Sequence, residues 1–207
     1  MKLRNCIFAA LFAALTFVAT AYLQIPIPVG AGYVHLGDTF VLLAALMLPL
    51  PYAIAASAVG AVLADVVAAY FVYAPATAVV KALMVVAVWL VCRKKRCWWT
   101  EVLSFVGATA VLALGYFVYE IPLYGTPTAV ADLPFNLLQG AVCSVVAFAL
   151  YKLIGERLAK LMAGAREAET VTDKVTDKPM QAAGPICRRC GKQIIERITY
   201  RVSLVFR

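Results

Sequence analysis

The chain has 207 residues, 64% of them hydrophobic and 14% charged, with a formal net charge of +8 and a mean hydropathy of +0.87. An ordinary soluble domain is about 45–50% apolar and about 25% charged. A soluble chain of this size could not hide the excess without exposing apolar patches well above the usual few hundred Å². The composition excludes a soluble globular enzyme and makes lipid the solvent for most of the chain.

Six apolar segments follow in order: Leu3 to Leu23, Leu36 to Leu48, Tyr52 to Phe71, Ala76 to Cys92, Val102 to Ile121 and Leu133 to Ile154. Each is measured against the roughly 20 residues that a spanning helix needs. The first follows Lys2 and Arg4 and is longer than a signal peptide's apolar core of about 7–15 residues. It therefore reads as a span, with cleavage after Ala19 or Ala21 as the alternative. The loop from Gln24 to Tyr33 holds Pro26, Pro28, Gly30 and Gly32 and is expected to be extended. The second segment is short and stops at Pro49-Leu50-Pro51, where proline removes a donor and fixes φ. It is expected to be tilted, partly re-entrant or embedded among other helices.

Lysine and arginine resist translocation and mark cytoplasmic loops. Lys2 and Arg4, the block Arg93-Lys94-Lys95-Arg96, and Arg157 with Lys160 all fall inside if six spans start from a cytoplasmic N-terminus. The loops after the first, third and fifth spans contain no Lys or Arg. The expected fold is an all-α integral membrane protein with six transmembrane helices and both termini cytoplasmic. Trp98 and Trp99, beside the basic block, read as interfacial anchors.

The membrane domain is expected to cover residues 1–157, followed by a polar cytoplasmic tail over residues 158–207. Lys152 to Arg207 contains twelve Lys/Arg and six Asp/Glu, so much of the net charge is tail. The tandem VTDK of Val171 to Lys178 is expected to be a disordered linker. Cys187 and Cys190 form one CxxC, which supplies two metal ligands where a structural zinc site takes four. They read as a decayed or truncated module, with a metal site shared between chains as the alternative. The chain has no aromatic-interleaved basic stripe, so nucleic acid is not an expected partner.

No GxxxxGK[ST], GxSxG or HExxH motif occurs, and neither ATP hydrolysis nor a resident cofactor is expected of this chain. The informative groups are ionisable residues inside apolar segments, because burying such a residue in a bilayer costs at least a few kcal/mol. Asp65 lies about 9 Å below the outer end of the third span and Lys81 about 8 Å below that of the fourth, at 1.5 Å per residue. His35 and Asp38 lie near the outer end of the second span, and Asn136 and Gln139 near that of the sixth. Tyr73, Tyr116, Tyr119 and Glu120 belong to the same outer half.

Two readings compete for this set. In one, Asp65 pairs with Lys81 while Asp38 or Thr39 caps the second span. In the other, which we favour, His35, Asp38, Thr39, Asp65, Tyr73, Lys81, Asn136 and Gln139 form a polar pocket open to the outside. In the first span, Ala9, Ala10, Ala13 and Ala14 form two overlapping small-xxx-small pairs that would let another helix approach closely.

The stretch from Gly32 to Met84 resembles the substrate-binding S component of energy-coupling factor (ECF) transporters, with affinity to the riboflavin-type branch. The residues carrying the likeness are HLGDT at the entry to the second span, Gly60 to Asp65 in the third, and YAPAT followed by Lys81 in the fourth. The resemblance covers roughly Lys2 to Arg157. It implies a six-helix protein that binds a micronutrient near the outer surface and docks through the first helix onto a transmembrane coupling subunit driven by two ATPase subunits. The extended loop would help close the site, and the whole subunit would reorient to release substrate inside. The expected substrate is a flat heteroaromatic vitamin or precursor: riboflavin, or a pyridoxine-like or hydroxymethylpyrimidine-like ring. His35 and Lys81 would suit an anionic group, Asp38 and Asp65 a cationic one. The alternative is a self-sufficient proton-coupled secondary carrier using Asp65 or Asp38, against which the lack of an internal repeat speaks.

Overall fold

A computed structural model describes residues 2–27, 33–93 and 97–176, with side chains as far as residue 155. Six helices and one small hairpin make up the fold: α1 (Lys2–Tyr22), β1 (Gln24–Pro26), β2 (Tyr33–His35), α2 (Asp38–Met47), α3 (Leu50–Val67), α4 (Ala74–Cys92), α5 (Trp98–Tyr124) and α6 (Thr126–Thr176). Five of the helices are long and apolar enough to cross a membrane. The chain divides into two units, Met1–Arg166 and Glu167–Arg207.

Local chemistry sets the boundaries. The expected extended loop is an antiparallel hairpin in which Gln24 pairs with His35, Ile25 with Val34 and Pro26 with Tyr33. Leu48 is extended, φ −99° and ψ 154°, as the residue before a proline must be, and α2 ends there. Pro51 and Pro75 each occupy the first turn of a helix, α3 and α4, where a missing N–H costs nothing. Helix α3 closes with Ala69 at φ 62°, Tyr70 donating to the Asp65 carbonyl at 2.8 Å and Ala69 to that of Val66 at 3.2 Å. This left-handed closure satisfies two end carbonyls and turns the chain toward Tyr70 and Tyr73.

Helix α2 is the embedded element. At 10 residues it is about 15 Å long, roughly half the thickness of a bilayer's hydrocarbon core. Nearly all of it is buried, and Val41, Leu42, Ala44 and Leu46 form the middle of a core with Met84, Val85 and Val88 of α4 and Phe105 and Leu112 of α5. Outside, large apolar side chains such as Leu3, Ile7, Val67, Val79, Leu103, Val118 and Val145 are exposed. This inverted arrangement is stable only where lipid replaces water. Trp98 and Trp99 are exposed at the start of α5, as interfacial anchors should be.

Close helix approach depends on small residues. A Cβ on Gly60 of α3 would lie 2.5 Å from the Ala13 carbonyl oxygen of α1, a backbone atom that cannot rotate away. Gly60→Ala is therefore expected to push α1 off α3 and cost about 1–3 kcal/mol. Thermal unfolding in detergent would register this as a lower midpoint, and an unchanged midpoint would show that the contact is loose.

Helix α6 runs past Ile154 to Thr176, into the first copy of the tandem VTDK and two residues of the second. Thr126–Gly155 supplies the apolar stretch, and the helix continues through residues with good helical propensity such as Glu, Ala, Lys and Arg. The remainder of the repeat, Cys187 and Cys190 lie outside the described residues.

Candidate functional site

The polar residues gather between the hairpin and four helices. The hairpin contributes Ile27, Tyr33 and His35, α3 contributes Asp65, and Tyr70 follows from its closing turn. Tyr73 and Thr77 come from the start of α4, Tyr116 and Glu120 from α5, and Asn136 and Gln139 from α6. Together they line a cavity of about 30 Å³. That is room for one or two waters, whereas sites for drug-sized ligands run to roughly 300 Å³ or more.

Tyr33 is the cover of this wall. Its hydroxyl donates to Asp65 Oδ1 at 2.6 Å, and its ring lies 4.8 Å from that of Tyr70 and 5.6 Å from that of His35. Burial, reinforced by Asp65, raises the Tyr33 phenol above its usual range and keeps it a donor. Deeper in, Thr77 Oγ1 and the Tyr116 hydroxyl are 3.0 Å apart, and Tyr73 donates to Glu120 Oε1 at 3.3 Å.

Beside the cavity is a buried ion pair that corrects the sequence reading. Lys81 Nζ lies 2.6 Å from Asp38 Oδ1, with both side chains fully buried. Lys81 is thus paired with Asp38 and not with Asp65. Asp38 is the first residue of α2, where Gly37 is the N-cap and no side-chain cap bond forms, so neither Asp38 nor Thr39 caps the helix. The other Asp38 oxygen accepts from Gln139 Nε2 at 2.7 Å, and Gln139 Oε1 accepts from the His35 backbone N–H at 3.0 Å. Lys81, Asp38 and Thr39 are absent from the cavity wall, which holds His35, Asp65, Tyr73, Asn136 and Gln139 of the expected set.

His35 is neutral here. Burial, aided by Lys81 and opposed by Asp38, pushes its imidazole down to about 4. Its Nδ1 accepts from the Gly37 N–H at 3.1 Å, which assigns the ring proton to Nε2.

Sequence reasoning missed Tyr33, Tyr70 and Thr77. Thr77 was in view as the last residue of YAPAT. Tyr119 is structural: it donates to the Val72 carbonyl. A larger groove of about 490 Å³ between α5 and α6 is lined by apolar residues and the Thr109–Ser144 pair. It has too few polar groups to orient a polar solute.

The overlapping alanines of α1 separate into two faces. Ala9 and Ala13 pack against the core, with Ala13 under Gly60, whereas Ala10 and Ala14 are exposed.

Fold and cavity together define a polytopic helical membrane protein with a polar cavity lined by several helices. Residues 1–156 match the model of the family described as ECF-type riboflavin transporter, S component, and the chain belongs to that family. It is a membrane-embedded substrate-binding subunit of an ECF transporter, in a family of transport subunits that work on vitamins with an ECF module. A solved structure described as "Structure and mechanism of the S component of a bacterial ECF transporter" shares the fold at a TM-score of 0.62 and 22% identity, covering 76% of this chain and 99% of that one. An uncharacterized protein in a gap 3'region of Pyrococcus woesei is 28% identical over 145 residues, 70% of this chain and 97% of that protein.

Proposed function

We propose that this subunit captures a small heteroaromatic vitamin or precursor at the outer face of the cell membrane for ATP-driven uptake by a coupling subunit and two ATPase subunits. The substrate would be riboflavin, or a pyridoxine-like or hydroxymethylpyrimidine-like ring. The observation that carries the reading is the cavity: five segments of the fold bring hydrogen-bonding groups and tyrosine rings to one small space. Flat rings suit such a site, with tyrosine faces for stacking and polar groups for orientation. The hairpin would act as the cover, since Tyr33 closes the wall through one hydrogen bond to Asp65. Placement of Lys and Arg puts both termini on the cytoplasmic side and the hairpin outside.

Uptake into cells or proteoliposomes that contain the partner subunits tests the energy source. Transport is expected to persist when the proton gradient is collapsed and ATP is held constant, and to stop when ATP is removed. Loss of transport with the proton gradient alone would contradict this function and favour a proton-coupled carrier.

A further inference from the structure

The charge of the cavity wall is unbalanced. Among the described residues the buried carboxylates are Asp38, Asp65, Glu101, Glu120 and Asp132. Asp38 has Lys81 at 2.6 Å and Glu101 has Lys152 at 2.8 Å. Asp65 and Glu120 have no such basic partner among the described residues, and these two line the cavity.

Each is half satisfied. Asp65 Oδ1 accepts from Tyr33 and Glu120 Oε1 from Tyr73. Asp65 Oδ2 and Glu120 Oε2 are buried with no hydrogen-bond partner, on residues only 4% and 2% exposed. Asp132, also buried, adds the negative charge of another carboxyl group beside Glu120. A buried carboxylate left this way is costly until a proton, a donor or a cation meets it. Among the described residues the wall offers no cation of its own: burial keeps the His35 imidazole neutral, and Lys81 is held by Asp38 behind the Tyr116 ring, 5.5 Å from its centroid.

The remaining surface is aromatic. Tyr33 and Tyr70 lie 4.8 Å apart, Tyr70 and Tyr73 6.2 Å, and Tyr73 and Tyr116 6.2 Å, centroid to centroid. The negative face of an aromatic ring attracts a cation, and rings arranged about one space are the usual setting for organic ammonium groups.

We propose that the ligand is a positively charged nitrogenous ring, held against tyrosine faces with its charge directed at Asp65 and Glu120. This rests on the reading of the cavity as the substrate site and narrows it by charge. An anionic ring would meet two carboxylates and no free base. A neutral ring could meet the two oxygens only through its N–H or O–H donors and would bring no charge to balance them.

The test is equilibrium binding by the purified full-length protein in lipid nanodiscs, with thiamine as a cationic ring, riboflavin as a neutral one and nicotinate as an anionic one. Thiamine is expected to bind at least tenfold more tightly than either of the others. In Glu120→Gln and Asp65→Asn, that preference should shrink by tenfold or more at an unchanged melting temperature. Tighter binding of riboflavin or nicotinate would overturn the charge assignment and leave the cavity as the substrate site. Binding of none of the three would overturn the assignment and count against the cavity reading as well. Unchanged thiamine affinity in both variants would remove the two carboxylates from recognition.

Discussion

Lys81→Ala is expected to cost the folded protein about 3–5 kcal/mol, because it strands a buried carboxylate. The wild-type pair is fully enclosed at 2.6 Å, where water cannot replace a lost partner. Without the ammonium group, Asp38 keeps one hydrogen bond, from Gln139. The same loss loosens Gln139, which also accepts the His35 backbone N–H, so damage spreads from α4 through α2 to α6 and the hairpin. Removing both charges should hurt far less than removing one, since apolar residues of similar volume often replace a buried pair without loss. The comparison is thermal unfolding of Lys81→Met, Asp38→Leu and the double variant in one detergent. A double variant more stable than either single one is the expected result. A Lys81→Met protein that melts normally but has lost its ligand would contradict this and make Lys81 a ligand contact after all.

The second large effect concerns transport and not folding. Replacing Ala10 and Ala14 by leucine is expected to reduce uptake by tenfold or more while ligand affinity stays within twofold. Both alanines are exposed and lie one turn apart on α1, flanked by the exposed side chains of Ile7, Leu11 and Leu15. Two isobutyl groups there would hold a partner helix away from the backbone, which small residues otherwise allow to come close. The neighbouring pair provides the control. Ala9 and Ala13 face the core, with Ala13 carrying its carbonyl against Gly60, so their leucine variants should lower stability before they affect coupling. Uptake and binding measured on both double variants separate the two faces. Normal uptake in Ala10→Leu/Ala14→Leu would remove that face from partner docking.

Much of the fold was legible because lipid makes hydropathy nearly sufficient. Leu3 to Leu23 became α1 (Lys2–Tyr22), and Ala76 to Cys92 became α4 (Ala74–Cys92), with prolines marking the breaks. The short second segment announced its embedded helix through its length. Helix rotation was not legible. A rise of 1.5 Å per residue gives depth along each helix but says nothing of azimuth. Asp65 and Lys81 were read as similar in depth, and what that reading lacked is direction: Lys81 turns toward α2 and Asp65 toward the hairpin. The same limit hid which alanine pair faces outward, a choice made by the contact with Gly60.

The tyrosines escaped for a different reason. Tyr33 sits on a three-residue strand and Tyr70 in a turn, where no periodicity points a side chain anywhere. Their positions follow from the hairpin register and from the left-handed closure at Ala69.

The measurement closest to the central claim is identification of whatever small molecule travels with the protein. The full chain is purified from membranes in mild detergent, its bound molecules are extracted and analysed by mass spectrometry, and the compound found is titrated back onto stripped protein. The account predicts one heteroaromatic ring compound, near one per chain, that rebinds saturably. The cavity substitutions Asp65→Asn and Glu120→Gln should weaken that rebinding. A chain that carries no ring compound and shows no saturable binding to riboflavin-, pyridoxine- or pyrimidine-type rings would contradict it.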